Sequence, residues 1–128
     1  MSAADLPEEV RAAASAAVAK NATDVVVLSV AEVSTIASHF VICTATSDRQ
    51  VRAVAAAVEE AVGANGGPKP TSIEGVDSHE WVLINYGDLL VHIFQPETRE
   101  FYSLERLWSD APRTAWDPAS LGPSATDQ

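Results

Sequence analysis

EWVLINYGDLLVHIFQPETREFYSLERLW, residues 80–108, decides the fold. Its first half reads as a β-hairpin. Trp81–Asn85 and Leu89–Phe94 are runs of strand length, and Gly87-Asp88 suits a two-residue turn with glycine first. Pairing outward from that turn sets Tyr86 against Leu89, Ile84 against Val91 and Val82 against Ile93, a uniformly apolar face. The other face sets Asn85 against Leu90, Leu83 against His92 and Trp81 against Phe94. A face that mixes Trp, Phe, His and Asn has the composition of a docking surface. Burial of both faces, as in the middle layer of an α/β sandwich, is the alternative. A three-residue loop, Tyr86-Gly87-Asp88, shifts the register and changes the neighbours of Trp81. The two-residue turn sorts the aliphatic side chains more cleanly.

The 128 residues of the chain suit one domain with one core. Hydrophobic residues make up 47%, but many are alanine, so the core is smaller than that figure suggests. Eight Lys and Arg stand against 18 Asp and Glu, a formal charge of −10. That balance disfavours a protein that coats nucleic acid, because phosphate binding needs clustered cations. A basic protein partner suits it better, since opposite fields steer association. One cysteine, Cys43, excludes a disulfide within the chain and any Cys-based metal site. It lies in an apolar run and reads as a small core side chain. No apolar run reaches membrane-spanning length, and the N-terminus lacks the basic flank and apolar core of a signal peptide. A cytoplasmic location is expected.

A helix is predicted from Asp5 to about Lys20. Asp5 is its candidate cap, Pro7, Glu8 and Glu9 form its first turn, and Val10, Ala14, Ala17 and Val18 its apolar face. Val25–Val30 and Phe40–Ala45 read as strands. Ser47 and Gln50 form a capping box that opens an amphipathic helix to about Ala61, with Val51, Val54, Ala55, Val58 and Val62 on its apolar face. A short edge strand near Thr71–Glu74 precedes the hairpin. Pro96 stops the last strand. Glu97–Trp108 is helical in pattern, with Phe101, Leu104, Leu107 and Trp108 as a stripe and a break near Ser103. Beyond Ser109, Pro112, Pro118 and Pro123 lie among Ser, Thr, Gly and Asp, the composition of a flexible tail. Trp116 in that tail either packs on the domain or stays free. The expected fold is α/β (α+β): a mixed sheet of about five strands with helices mainly on one face, leaving the other open. The folded domain spans residues 1–111 and the tail residues 112–128.

Catalytic sets are missing. His39, His79 and His92 have no Ser or Cys partner in sequence, and a Cys43–His92 pair across the sheet is improbable for a strand cysteine. His79-Glu80 is the only adjacent pair of ligand types, and it lies at a turn. Gly66-Gly67-Pro68-Lys69 lacks the helix that a phosphate cradle needs. Asp24 and Glu32 flank the first strand but do not make a two-metal pair. No cofactor, no metal and no enzymatic activity are expected.

The residues resemble a known family. DVVVL (24–28), SHFVICTATS (38–47) followed by Arg49-Gln50-Val51, Glu74-Gly75, WVLINYGD (81–88), VHIF (91–94), Arg99, Tyr102, Leu104-Glu105 and Leu107-Trp108 follow the ribosomal silencing factor, or Iojap-like, family from about Leu6 to Pro112. The resemblance implies a nucleotidyltransferase-like topology without its catalytic carboxylates. It implies binding to the large ribosomal subunit through a basic ribosomal protein, large-subunit protein fourteen, on the intersubunit face. It also implies blocked subunit joining, repressed translation under nutrient limitation, a homodimer in isolation and little direct nucleic-acid binding. Carried over by motif, the partner-binding residues are Trp81, Leu83, Tyr86, Gly87, Asp88, His92, Phe94, Arg99 and Tyr102. In that role Asp88 and Glu105 pair with cations of the partner and His92 makes one hydrogen bond. The chain departs from the family pattern at Ser29 and Asn85, where Asp is usual, and at His39, where Tyr is common. The competing readings are a nucleotidyltransferase-related enzyme that binds nucleotide and Mg²⁺, and a self-association module whose aromatic face is only a dimer interface.

Overall fold

The hairpin takes the two-residue register. In the computed structural model, which describes residues 6–117 and 122–123, strand β4 (Trp81–Asn85) pairs antiparallel with β5 (Leu89–Phe94), Trp81 opposite Phe94, Leu83 opposite His92 and Asn85 opposite Leu90. Gly87 opens the turn at φ 92°, a conformation that only glycine adopts freely. The Asn85 side chain supports it by accepting the Gly87 N–H at 2.8 Å, and the Tyr86 N–H donates to the Leu89 carbonyl across it. An aspartate at position 85 could accept the same bond, so the departure from the family pattern preserves the turn.

Six further elements precede or follow the hairpin in the order the patterning requires. Helix α1 (Glu8–Ala19) leads to β1 (Thr23–Ser29) and β2 (His39–Thr44); α2 (Asp48–Ala64) and β3 (Ser72–Glu74) come before the hairpin, and α3 (Pro96–Tyr102) after it. Ser47 caps α2 by accepting the Gln50 N–H. The Gln50 side chain reaches past Ser47: its Oε1 accepts the Thr46 N–H, and its Nε2 donates to the carbonyls of Lys20 and Asn21. The capping residue of one helix therefore ties down the end of the other. The Asp5 cap lies outside the described residues.

The sheet is mixed. Its strand order is β3-β4-β5-β2-β1-β6-β7, where β6 is Arg113–Asp117 and β7 Gly122–Pro123, with β2 and β5 parallel and the other neighbours antiparallel. Valines and alanines on α1 and α2 pack on one face, over Val25, Val27, Val41, Val82, Ile84, Val91 and Ile93. These small side chains let the two helices also lie against each other. Cys43 is fully buried on this face, and burial pushes its thiol up to about 12. His92 lies on the opposite face, so the two cannot form a catalytic pair.

Two expectations about the C-terminal part need correction. The domain does not stop at residue 111, nor the sheet at five strands: β6 (Arg113–Asp117) pairs with β1, and β7 (Gly122–Pro123) pairs with the end of β6. Prolines on both sides of residues 113–117 give this stretch the composition of a tail, but the open edge of β1 offers a ladder of unpaired groups that it satisfies. Trp116 packs on the domain. It is buried in the helix-side core, and its indole N–H donates to the Ser15 hydroxyl at 3.2 Å. Trp116→Phe is expected to cost about 1–2 kcal/mol by loss of one ring and one hydrogen bond, read as a lower denaturant midpoint with an unchanged slope. An unchanged midpoint would show that the indole contributes nothing to stability.

The second face is not open either. Helix α4 (Leu104–Leu107) and the turn after it cross it, laying Leu104, Trp108 and Ala111 over Val26, Leu28, Phe40, Ile42, Leu90 and Phe94. This second core is smaller, and Trp81 and Leu83 lie at its rim.

Candidate functional site

Aromatic rings run in a continuous series across the second face. Trp108 meets Phe40 edge-on at 5.5 Å between ring centroids, and Phe40 meets His92 at 5.0 Å. His92 lies beside Phe94 and Trp81; Trp81 stacks on Phe94 at 4.8 Å and leans on Tyr102 at 4.6 Å. Tyr102 then meets Phe101 edge-on at 5.0 Å. The series begins in the second core and ends in solvent. Strand alternation explains it, since Trp81, His92, Phe94 and Phe40 occupy same-face positions on three neighbouring strands.

The exposed end is apolar. Phe101 is 81% exposed, Leu107 70% and Tyr102 49%; Trp81, which touches Tyr102, and Leu83 are half-buried. Phe101 and Leu107 belong to the apolar stripe expected from sequence but not to the partner-binding set carried over by motif. One stripe with a break near Ser103 does not say which of its members face inward. Ser103, at φ 47° and ψ 54°, breaks the helical phase between α3 and α4. Leu104 and Trp108 turn inward, four residues apart, while Phe101 and Leu107 are left outside. The expected break near Ser103 was the available signal.

Of the nine residues carried over by motif, Trp81 and Leu83 are half-buried and Tyr102 is exposed, and Gly87 and Asp88 are exposed at the hairpin turn. Asp88 also anchors the turn, because its carbonyl accepts the N–H groups of Ser38 and His39. The other four make internal contacts. Tyr86 is buried on the helix face, where burial, with the nearby Glu59 charge, raises its hydroxyl to about 12. Phe94 is fully buried beneath Trp81. His92 is 4% exposed, and its Nδ1 accepts the Trp81 indole N–H at 3.1 Å. Its one directional bond is therefore internal. With Nδ1 accepting, the neutral ring carries its proton on Nε2, which is buried and has no partner among the described residues. Arg99 and Glu105 form an ion pair at 2.6 Å, so Glu105 is also taken from the role of pairing with a partner's cation.

The pair lines a cleft of about 530 Å³ with Thr23, Asp24, Thr44, Thr46 and Arg106. Burial alone would raise the Glu105 carboxyl, but the hydrogen bond and charge of Arg99 hold it below its usual value. Among the described residues no group of three or more His, Cys, Asp or Glu could hold a metal ion. None of the described helices is long and apolar enough to cross a membrane.

Burial lowers the pKa of His92 from 6.5 to about 4. Between those values the unfolded chain binds a proton that the folded one refuses. The contribution of His92 to stability is therefore expected to be complete above about pH 6.5 and to fall as pH drops towards about 4. His92→Gln is expected to flatten this part of the pH–stability curve, followed by tryptophan fluorescence in urea. An equally steep curve in the variant would assign the titration to another group.

The model for the family "Ribosomal silencing factor during starvation" matches residues 3–128. A ribosomal silencing factor RsfS of Bacillus subtilis (strain 168) is 40% identical over 100 residues, covering 78% of this chain and 84% of that protein. The mouse protein named "Mitochondrial assembly of ribosomal large subunit protein 1" is 32% identical over 93 residues, 70% of this chain and 40% of its own length. A crystal structure of a Chromobacterium violaceum protein superposes with a TM-score of 0.76 at 30% identity, covering 80% of this chain and 84% of that one. Sequence and fold agree: the chain belongs to the ribosomal silencing factor family.

Proposed function

We propose that this protein binds the large ribosomal subunit through the apolar rim formed by Trp81, Leu83, Phe101, Tyr102 and Leu107, and so keeps the small subunit from joining. The observation that carries this reading is the exposed aromatic end of the ring series on a chain of net charge −10 that belongs to this family. The indole N–H of Trp81 is already bonded to His92, so the rim presents carbon to its partner. Acidic residues elsewhere favour a basic surface around an apolar patch, which fits a ribosomal protein such as large-subunit protein fourteen at the intersubunit face. Occupying that face is sufficient, so repression of translation when nutrients are scarce needs no chemistry from the bound protein. The protein acts in the cytoplasm, without a cofactor, and pairs with a second copy when free. Sucrose-gradient sedimentation with purified subunits tests the proposal: the protein should travel with large subunits and reduce formation of joined ribosomes. Equal binding to both subunits, or to neither, would refute it.

A further inference from the structure

The rim depends on two helices that have little to hold them. Neither α3 nor α4 buries a side chain fully. Helix α4 has Leu104, and Trp108 just after it, packed on the second core; the apolar contribution of α3 is Tyr102 leaning on Trp81. An apolar helix face normally supplies most of the tertiary hold on so short a helix. Here a guanidinium takes its place. Arg99, on α3, donates through Nη1 to the Asp24 carbonyl and the Thr44 hydroxyl, both at 2.8 Å. Through Nε and Nη2 it donates to Glu105 Oε2 at 3.2 and 2.6 Å. One side chain thus joins α3 to the start of β1, to β2 and to α4.

Two further observations mark this as a device for holding position. Two of the four described non-glycine residues with positive φ adjoin the clamp: Asp24 at φ 49° and Ser103, between the helices, at φ 47°. Aspartate tolerates that region, but serine adopts it less readily, so the turn between α3 and α4 gains from a side chain that holds both helices. The pair is also shielded, its side chains 11% and 18% exposed, so water screens it less than an ordinary surface ion pair. Tyr102 stands three residues beyond Arg99 on α3, and Leu107 two residues beyond Glu105 on α4. Each half of the ion pair therefore lies on a helix that contributes to the rim.

We propose that Arg99 is a positioning residue for the docking rim: its fork fixes α3 and α4 over the sheet and thereby holds Tyr102 against Trp81. The proposal rests on the docking function proposed above and assigns Arg99 no contact with the partner. Lysine cannot replace it, because a single ammonium lacks a planar fork that bonds three elements at once.

The test is a double-mutant cycle on binding to purified large subunits, with nuclear Overhauser contacts between the Trp81 and Tyr102 rings as a second readout. Arg99→Ala should weaken binding about tenfold, and Arg99→Lys should recover little of that. In a Tyr102→Ala background Arg99→Ala should add much less than it costs alone, because a large part of its effect passes through that ring. The Trp81–Tyr102 contacts should vanish while the contacts between strands β4 and β5 persist. Additive losses, or intact ring contacts in Arg99→Ala, would overturn the proposal. If Arg99→Ala does not fold, Glu105→Gln removes one arm of the clamp and should give a smaller loss with the same non-additivity; additivity there would overturn it equally. Parent-like binding by Arg99→Ala alongside loss of binding by Trp81→Ala defeats the positioning role alone. Parent-like binding by both defeats the docking rim.

Discussion

Replacing Trp81 by alanine is expected to weaken binding to the large subunit by about 2 kcal/mol or more, roughly thirtyfold. The effect is large because Trp81 is preorganised as well as partly exposed. Phe94 stacks beneath it, Tyr102 leans on it and His92 accepts its indole N–H. A rigid aromatic anchor loses little conformational entropy on docking, so more of its buried area appears as affinity. The fold should tolerate the change better than binding does, since Trp81 sits at the rim of the second core. His92 would lose its donor but keep its burial. Sedimentation of the variant with purified large subunits, after its amide spectrum has been checked for folding, provides the measurement. Binding equal to the parent's would remove Trp81 from the site.

Gly75→Ala should have a comparably large effect, this time on folding. Gly75 follows β3 at φ 84°, where an added Cβ would lie 1.9 Å from the Trp81 carbonyl oxygen and 3.0 Å from the carbonyl carbon. The obstacle is backbone, so no side-chain rotation relieves it. Left-handed strain adds to the clash, and together they are expected to cost about 4 kcal/mol or more. Retreat of the Trp81 backbone, which would relieve the clash, would also spoil the Trp81–Phe94 pairing. A urea midpoint close to the parent's would show that the turn accommodates the methyl group. Gly87, by contrast, has open space around a notional Cβ, so alanine there would incur only the conformational strain of φ 92°.

Much of this architecture is local and therefore legible in sequence. Gly87-Asp88 between two apolar runs specifies a turn, and the turn specifies the register, because one slipped residue would carry Val82, Ile84, Val91 and Ile93 to the wrong face. Ser47 and Gln50 mark the start of α2 by the bonds they can make within one turn. The break at Ser103 was legible too, as a fault in an apolar stripe.

The proposed docking rim was legible only in part. Hairpin pairing places Trp81, Leu83, His92 and Phe94 on one face, and that is where they lie. Which of them solvent can reach depends on α4, whose path across the face is set by contacts of Leu104 and Trp108 with residues far away in the chain. Those contacts bury His92 and Phe94, leave Trp81 at the edge and turn Phe101 and Leu107 outward. Arg99 and Glu105 show the same limit: each alone is a surface charge, and only the folded chain brings them to 2.6 Å beside the start of β1.

Sequence by itself determined the hairpin, its register, the start of α2 and the family, because each rests on side chains a few residues apart or on a linear pattern of types. Tertiary structure alone decided that Trp116 and the strand carrying it complete the sheet, and that the aromatic face is half core and half rim. The physical reason is that burial is a property of pairs. Whether an aromatic side chain becomes an anchor or a core residue depends on what packs over it, and in this chain the covering residues arrive from elements that follow the hairpin.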